Sequence, residues 1–534
     1  MFDYRKIPVC LFFAASLVFA AEASARHYGV MPLNKVPSQV ESKARRLIHD
    51  LEKKGFEVSR GYFKLYTVND CAYTFDIMGT CYANNPAAPY VTFAVPPWPE
   101  EFVAAETSSL WGPSLEGYND TFRFDSREAI VILGKLPPPA AYFSEQTYLF
   151  SRQGTIDTSS SRYEAIAEQM PSFLRLFFAY MPDDTTRFQS FSTLSNPINN
   201  VVIERQSHAA FNQLRYFIIT PDQFMNAEVR KALAGISIKK KDIFTEPIPS
   251  NMIIGLEKAS DNFTTLIRYA QPDDSGRYGT ASDTWRNDLP MVVLRVRDTR
   301  SNREPVKYPP FDFADLEKRT AVNEWPLKDD LGSLLYAVSR RWGQPCANTD
   351  CSDRAETFQD LQTSPPYMVG PLCTPFEENC LADNWDTAYQ IYGPGSLDHG
   401  EIYAVAGTLG TETGNATYVG LGINYAEVFL GVANLSDKDL KETAIGYKGE
   451  VSNTGEFYLY YFTRDCSGLE ALTDGHCFEL PVTMIPPGRH FGLSVRDYVR
   501  PRTERGPDSS LILPSRVLQL VRPNPREGGQ VTKK

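Results

Sequence analysis

The spacing of the cysteines constrains this chain more than any other feature. Of nine cysteines in 534 residues, one, Cys10, lies in an N-terminal apolar run. The other eight fall into four close sequential pairs: Cys71 and Cys81, Cys346 and Cys351, Cys373 and Cys380, Cys466 and Cys477. Eight cysteines allow about a hundred connectivities. Pairing neighbours is the expectation here, and each short loop so closed contributes on the order of 2–3 kcal/mol in the chain-entropy account. The spacing does not suit zinc. There is no C-x-x-C and no Cys/His pair in finger register, and His476 beside Cys477 is a lone adjacency.

Disulfides need an oxidising compartment, and the N-terminus supplies the route to one. Arg5 and Lys6 precede an apolar run over residues 7–21, followed by Ala23, Ser24, Ala25 and polar Arg26. That is the three-part pattern of a signal peptide over residues 1–25, cleaved before Arg26, and it predicts a secreted or periplasmic protein. The run is shorter than the roughly 18–20 residues that span a bilayer. No later stretch is apolar enough, so no transmembrane segment is expected. The net charge of −11 disfavours phosphate backbones and hence nucleic acid as a partner. At 42% hydrophobic the chain can bury a core, and its 12% aromatic content points to sheets.

The expected fold is a sheet-rich α+β protein. A mixed α+β domain covers residues 26–300, as one or two subdomains with any break near 155–195. A helical, disulfide-stapled connector covers 301–385. An antiparallel β-sandwich covers 386–500, and an extended, partly disordered tail covers 501–534. Helices are expected over 38–54, capped by Ser38 with Glu41 three residues on, over 221–234 after a Thr220 cap, over 311–321, and over 331–342. Strands are expected at 61–68, 90–95, 121–125, 129–134, 214–220, 252–257, 263–269 and 291–297. A closely spaced series follows at 401–408, 417–425, 428–435, 457–464, 478–483 and 491–498, which suits a sandwich. No internal repeat is discernible.

Strong catalytic signatures are absent: no G-x-S-x-G, H-E-x-x-H, phosphate-binding loop or EF-hand loop. Six histidines limit acid–base chemistry. The richest setting is residues 393–401, where Ser396, Asp398, His399 and Glu401 gather a hydroxyl, an imidazole and two carboxylates in one turn, with Asp383 and Asp386 nearby in sequence. These are the candidate catalytic residues, set against an ordinary polar turn. His208, His476 and His490 read as surface positions. Asn348, Asp350 and Asp353 could ligate calcium, and Trp98 and Trp111 could stack on sugars, although core packing accounts for both tryptophans. Asn119, Asn262, Asn415 and Asn434 head glycosylation sequons, relevant only in a eukaryotic host. The size of the chain favours an exported hydrolase. An extracellular carbohydrate- or ligand-binding protein and a cell-surface structural or interaction protein are the alternatives. The sequence specifies neither a cofactor nor an oligomeric state, and a small molecule or glycan is the partner to seek.

Overall fold

A computed structural model describes residues 34–82, 84–104, 109–169, 171, 174–274, 279–300, 303–363 and 373–523. The expected signal peptide and the end of the tail lie outside these residues. Ten strands form two sheets in the N-terminal half: β1 (Glu57–Arg60), β2 (Tyr62–Tyr66), β3 (Tyr90–Ala94), β4 (Glu128–Lys135), β5 (Ala140–Gln153), β6 (Asp184–Thr193), β7 (Leu214–Thr220), β8 (Ile243–Pro247), β9 (Asn262–Pro272) and β10 (Met291–Arg297). Sheet A runs β1-β10-β4-β7-β8, and sheet B runs β2-β3-β9-β5-β6. Two short strands, Tyr180–Met181 and Ile198–Asn199, extend sheet B.

The C-terminal half contributes β11 (Glu356–Thr357), β12 (Gln359–Asp360), β13 (Thr387–Ser396), β14 (Glu401–Thr408), β15 (Tyr418–Tyr425), β16 (Leu430–Ser436), β17 (Phe457–Thr463), β18 (Cys477–Glu479), β19 (His490–Tyr498) and β20 (Arg516–Val521). Sheet C runs β11-β20-β14-β17-β18, and sheet D runs β12-β13-β19-β15-β16. Adding ten to each strand number turns sheet A into sheet C and sheet B into sheet D. Strand directions agree as well: every neighbouring pair is antiparallel except β7 with β8 and its counterpart β17 with β18. A parallel pair needs a crossover, and helix α2 (Gln223–Gly235) supplies it in one half, α4 (Glu470–Thr473) in the other. Helices α1 (Ser38–Lys53) and α3 (Lys328–Arg341) precede the first strand of each half. The fold is thus a topological repeat, although the sequence reveals none.

Side-chain alternation explains the layering. In β4, Ala129, Val131 and Leu133 meet Val40, Ala44, Leu47 and Leu51 of α1 and Met225 and Val229 of α2. Ile130 and Ile132 point the other way and share a cluster with Phe93, Phe143 and Ile267 of sheet B. Strands buried on both faces read as continuous apolar runs, as here. Sheet C behaves alike. Ile402, Ala404 and Ala406 pack on Leu331, Leu334 and Leu335 of α3, while Tyr403 and Val405 share a cluster with Val419, Leu421 and Leu493 of sheet D.

The halves meet through sheets B and D, and this seam is polar. Tyr142 and Tyr498 lie 4.8 Å apart between ring centroids. The Tyr142 hydroxyl donates to Asp386 Oδ2 at 3.0 Å and accepts from Asn384 Nδ2 at 2.8 Å. Arg268, buried, stacks its guanidinium on Tyr90 and Tyr148 and donates to the Ala382 carbonyl. The loop closed by Cys373 and Cys380 docks here too, with Cys380 N donating to Ser190 O and Ala382 N to Phe191 O.

All eight cysteines expected to pair do so as neighbours, with Cα separations of 5.5, 5.2, 5.7 and 6.0 Å. Other expectations change. Ser38 does not cap α1, since the cap position is Pro37 and no side chain bonds there; Glu41 is drawn instead to Arg45 and Arg60. Asp222, not Thr220, caps α2. Residues 311–321 form only the 3-10 turn Phe313–Asp315. No strand forms over 252–257; β8 takes the edge beside β7. Residues 121–125 make a single bridge, Phe122 to Phe263.

Candidate functional site

A cavity of about 130 Å³ opens at one end of sheet B. It is walled by the link from β3 to β4, the end of β5, the turn into β6 and the start of β9. A cavity of about 150 Å³ admits a benzene-sized molecule, so this one suits a ligand of a few heavy atoms.

Arg123, Arg187 and Lys258 line it together with Asp183 and Asp184, a small excess of cations. Arg123 is 2% exposed, stacks on Phe102 at 5.1 Å and donates from Nη1 to the Phe102 carbonyl at 2.6 Å. Its Nε is buried without a partner. Arg187, also buried, spends its guanidinium on the carbonyls of Ser151, Ser260 and Lys258 at 2.7–2.9 Å. Neither arginine forms an ion pair among the described residues. Burial and the neighbouring Arg187 charge pull Arg123 down to about 10, and burial lowers Arg187 as well. Burial is the larger cause in both; the carboxylates of Asp261 and Asp184, and of Glu101 for Arg123, pull the other way without offsetting it. Asn262, at the head of β9, donates from Nδ2 to Thr121 Oγ1 at 3.1 Å and leaves Oδ1 buried without a donor. Lys258 sits at the mouth, paired to Asp184 at 3.0 Å.

A rigid polar wall stands behind Arg123. Arg295, fully buried, donates from Nε to Glu128 at 2.6 Å, from Nη1 to Glu101 at 2.6 Å and from Nη2 to the Arg123 carbonyl at 2.7 Å. Glu101 in turn accepts the Arg123 backbone N–H at 2.7 Å. The loop carrying Arg123 is therefore fixed at both its carbonyl and its amide.

The turn singled out in the sequence takes another form. Ser396, Asp398 and His399 are exposed. Glu401 accepts the Asp398 backbone N–H at 2.6 Å and, weakly, the Ser396 hydroxyl at 3.5 Å. His399 bonds to none of them, although Asp465, distant in sequence, lies within electrostatic reach of it. Asp383 and Asp386 lie apart from this turn, buried in the seam. Asp353 and Asp350 accept backbone N–H groups of their own disulfide loop, and no group of three or more metal-ligating side chains occurs among the described residues. Trp98 and Trp111 are buried core residues, not exposed stacking platforms. Asn119, Asn262 and Asn415 are buried, and Asn415 Nδ2 is committed to Glu324 at 2.7 Å, leaving no room for a glycan; Asn434 is half-buried. His208 ends a helix in the left-handed region at φ 72°. The ring of His476 lies 6.0 Å from that of Tyr460.

The sequence reading missed Arg123 and Arg187. The available signal was an arginine inside an aromatic, strand-like run, as in Thr121–Asp125, where a charge must find a partner or a ligand.

No protein-family model matches the chain, and no curated protein matches it. Among solved structures, an uncharacterised protein from Burkholderia cenocepacia and the VPA0106 protein from Vibrio parahaemolyticus each align with 90% of this chain, over 94% and 96% of their own lengths. Each likeness has a TM-score of 0.35 at 9% identity, too slight to bear on function.

Proposed function

We propose that this is an exported binding protein whose N-terminal cavity takes a small anionic ligand. One observation carries the reading: two buried guanidinium groups without carboxylate partners face a cavity that also holds an unpaired Asn262 oxygen. Buried charges are ordinarily paired, and an anion bearing one hydrogen-bond donor completes both deficits. Phe102, Val103 and Met181 give the wall an apolar side for a short carbon skeleton. A hydroxy acid or an amino acid has this chemistry.

Thermal unfolding in the presence of phosphate, sulfate, lactate or glycine tests the proposal. A ligand at about one hundred times its dissociation constant stabilises by about 2.7 kcal/mol, so binding raises the melting temperature. Asn262→Asp keeps the shape and places a like charge against the ligand. It is expected to weaken binding at least about tenfold, a change of about 1.4 kcal/mol. The reading fails if none of these anions stabilises the wild-type protein, or if Asn262→Asp binds equally well.

Export rests on the leader pattern and the four disulfide pairs. Among the described residues, no helix is long and apolar enough to cross a membrane. The intact mass of the protein recovered from the exported fraction is expected to begin at Arg26 and to fall short of the reduced mass by about eight hydrogens, two per disulfide. A mass that includes Met1 removes the cleavage assignment.

A further inference from the structure

Charge is distributed unevenly around the cavity. Arg123, Arg187, Ser151 and Asn262 are buried and form its floor. Phe102, Val103, Asp183 and Lys258 are exposed and form its rim.

The charges still free to meet a ligand differ in sign between floor and rim. Lys258 is already engaged: its ammonium pairs with Asp184 Oδ2 at 3.0 Å and lies 5.8 Å from the centre of the Phe102 ring. Asp184 Oδ1 in turn accepts from the Thr186 N–H at 3.1 Å and from its hydroxyl at 2.5 Å. Among the described residues, the Asp183 side chain makes neither an ion pair nor a hydrogen bond. On the floor the free charge is positive. Arg123 Nε is buried without a partner, and Arg187 is held by main-chain carbonyls, which are neutral. Asp261 lies within electrostatic reach of both arginines but is itself paired with Arg152 at 2.6 Å. A simple anion satisfies the floor and is repelled by Asp183. A zwitterion satisfies both.

Asn262 Oδ1 sharpens the choice. It is buried and has no donor, so it takes an N–H or O–H from whatever fills the cavity. A hydroxyl group has one proton to give and no charge, whereas an ammonium group has three N–H donors. An ammonium therefore serves Asn262 Oδ1 and Asp183 together, and its charge strengthens both contacts. L-Alanine has as many heavy atoms as benzene, the molecule admitted by a cavity only slightly larger than this one.

We infer that the cavity is a site for small α-amino acids bound as zwitterions, an assignment that rests on the anion-binding reading and narrows it. The carboxylate lies toward Arg123 and Arg187. The ammonium lies toward Asn262 Oδ1 and Asp183. A short side chain meets Phe102, Val103 and Met181.

L-Alanine and L-lactate share a skeleton and a carboxylate and differ in carrying an ammonium or a hydroxyl, so titration calorimetry of the full-length protein with each at pH 7 tests the inference. L-Alanine is expected to bind at least about tenfold more tightly, the difference between charge-assisted and neutral hydrogen bonds. Asp183→Asn is expected to weaken L-alanine about threefold, as befits an exposed ion pair, while L-lactate binds as well as before or better. Asp183 is exposed, and L-lactate binding by the same variant verifies that the site is intact. Asn262→Asp weakens both ligands, because its carboxylate competes for the guanidinium groups. L-Alanine binding no more tightly than L-lactate, or an unchanged ratio of the two in Asp183→Asn, overturns the amino-acid assignment and leaves the anion reading standing. Binding of neither ligand overturns both.

Discussion

Arg295→Ala is expected to destabilise the protein by about 3–5 kcal/mol, the cost of breaking a buried ion pair by removing one partner. Arg295 and Glu128 are each fully buried, and Glu101 is almost so. Their geometry is a fork: two guanidinium nitrogens bind the two oxygens of Glu128 at 2.6 and 3.0 Å, and the third reaches Glu101. Trp98 Nε1 also donates to Glu128, and its ring lies under the guanidinium at 5.0 Å. Burial raises the Glu128 carboxyl despite its partner. Without Arg295, two carboxylates must therefore either stay charged in the interior or take up protons. The loss is to be read as a lower urea midpoint at pH 7. Arg295→Lys recovers part of it, since an ammonium supplies charge without the fork. Arg295→Met combined with Glu128→Gln recovers more than Arg295→Met alone, because no charge is left stranded on Glu128. Arg295→Ala also loosens the Arg123 loop and weakens any ligand in the cavity. A loss below about 1 kcal/mol, the range of exposed pairs, would contradict this account.

Stability is expected to fall as pH rises from about 5 to 8. Burial pushes Asp383 up to about 7, with the Thr193 N–H and the Arg268 charge pulling it back only in part. Burial likewise lifts Glu378 to about 7 against its partner Arg162. Glu145 and Asp497 are raised by burial and by the like charges of Glu246 and Glu324 respectively. For each group the folded pKa lies above the unfolded one, so the folded state holds more protons between them. Stability is then greatest below the unfolded values near 4 and is lost as pH passes through about 7. Asp383 and Glu378 contribute on the order of 3 kcal/mol each. The melting temperature is expected to be about 5 °C higher at pH 5 than at pH 8. Glu41, held down at about 2 by Arg60, is ionised at both ends of this range and does not oppose the trend. Asp383→Asn should flatten the curve, since the amide fits the site and does not titrate. A melting temperature that is level or rising from pH 5 to 8 would remove the claim.

Legibility in the sequence followed the number of faces buried against apolar neighbours. Met291–Arg297 and Leu214–Thr220 were legible residue for residue, since apolar clusters cover both faces of each. Strand β5 was not expected at all. Its centre, Ser144-Glu145-Gln146-Thr147, is polar and yet fully buried. Thr147 is held across the fold: its backbone N–H donates to Glu246, and its hydroxyl meets that of Thr265 at 3.0 Å, while both Glu145 oxygens are buried without a partner. No local pattern announces a strand whose hydrogen-bond partners lie about a hundred residues away. The repeated topology was hidden for a related reason. Strand order depends on which segments pair, while residue identity depends on what each face touches, and the two halves meet different surroundings.

The candidate sites divide in the same way. Ser396 was legible as a serine in a glycine-rich turn, but its hydroxyl meets Glu401 and not His399. Glu427, on the turn after β15, and His490, at the head of β19, are paired at 2.8 Å by the fold alone. The sequence by itself determined what local chemistry controls: neighbouring disulfide partners, a sheet-rich α+β composition and the longer amphipathic helices. The tertiary structure alone decided the repeat of two halves, the polar seam of Arg268 and the tyrosines, and the arginines of the cavity that form no ion pair among the described residues. Each of these is a contact between distant segments, and its energy depends on burial and on a partner's position, neither of which a single stretch of sequence carries.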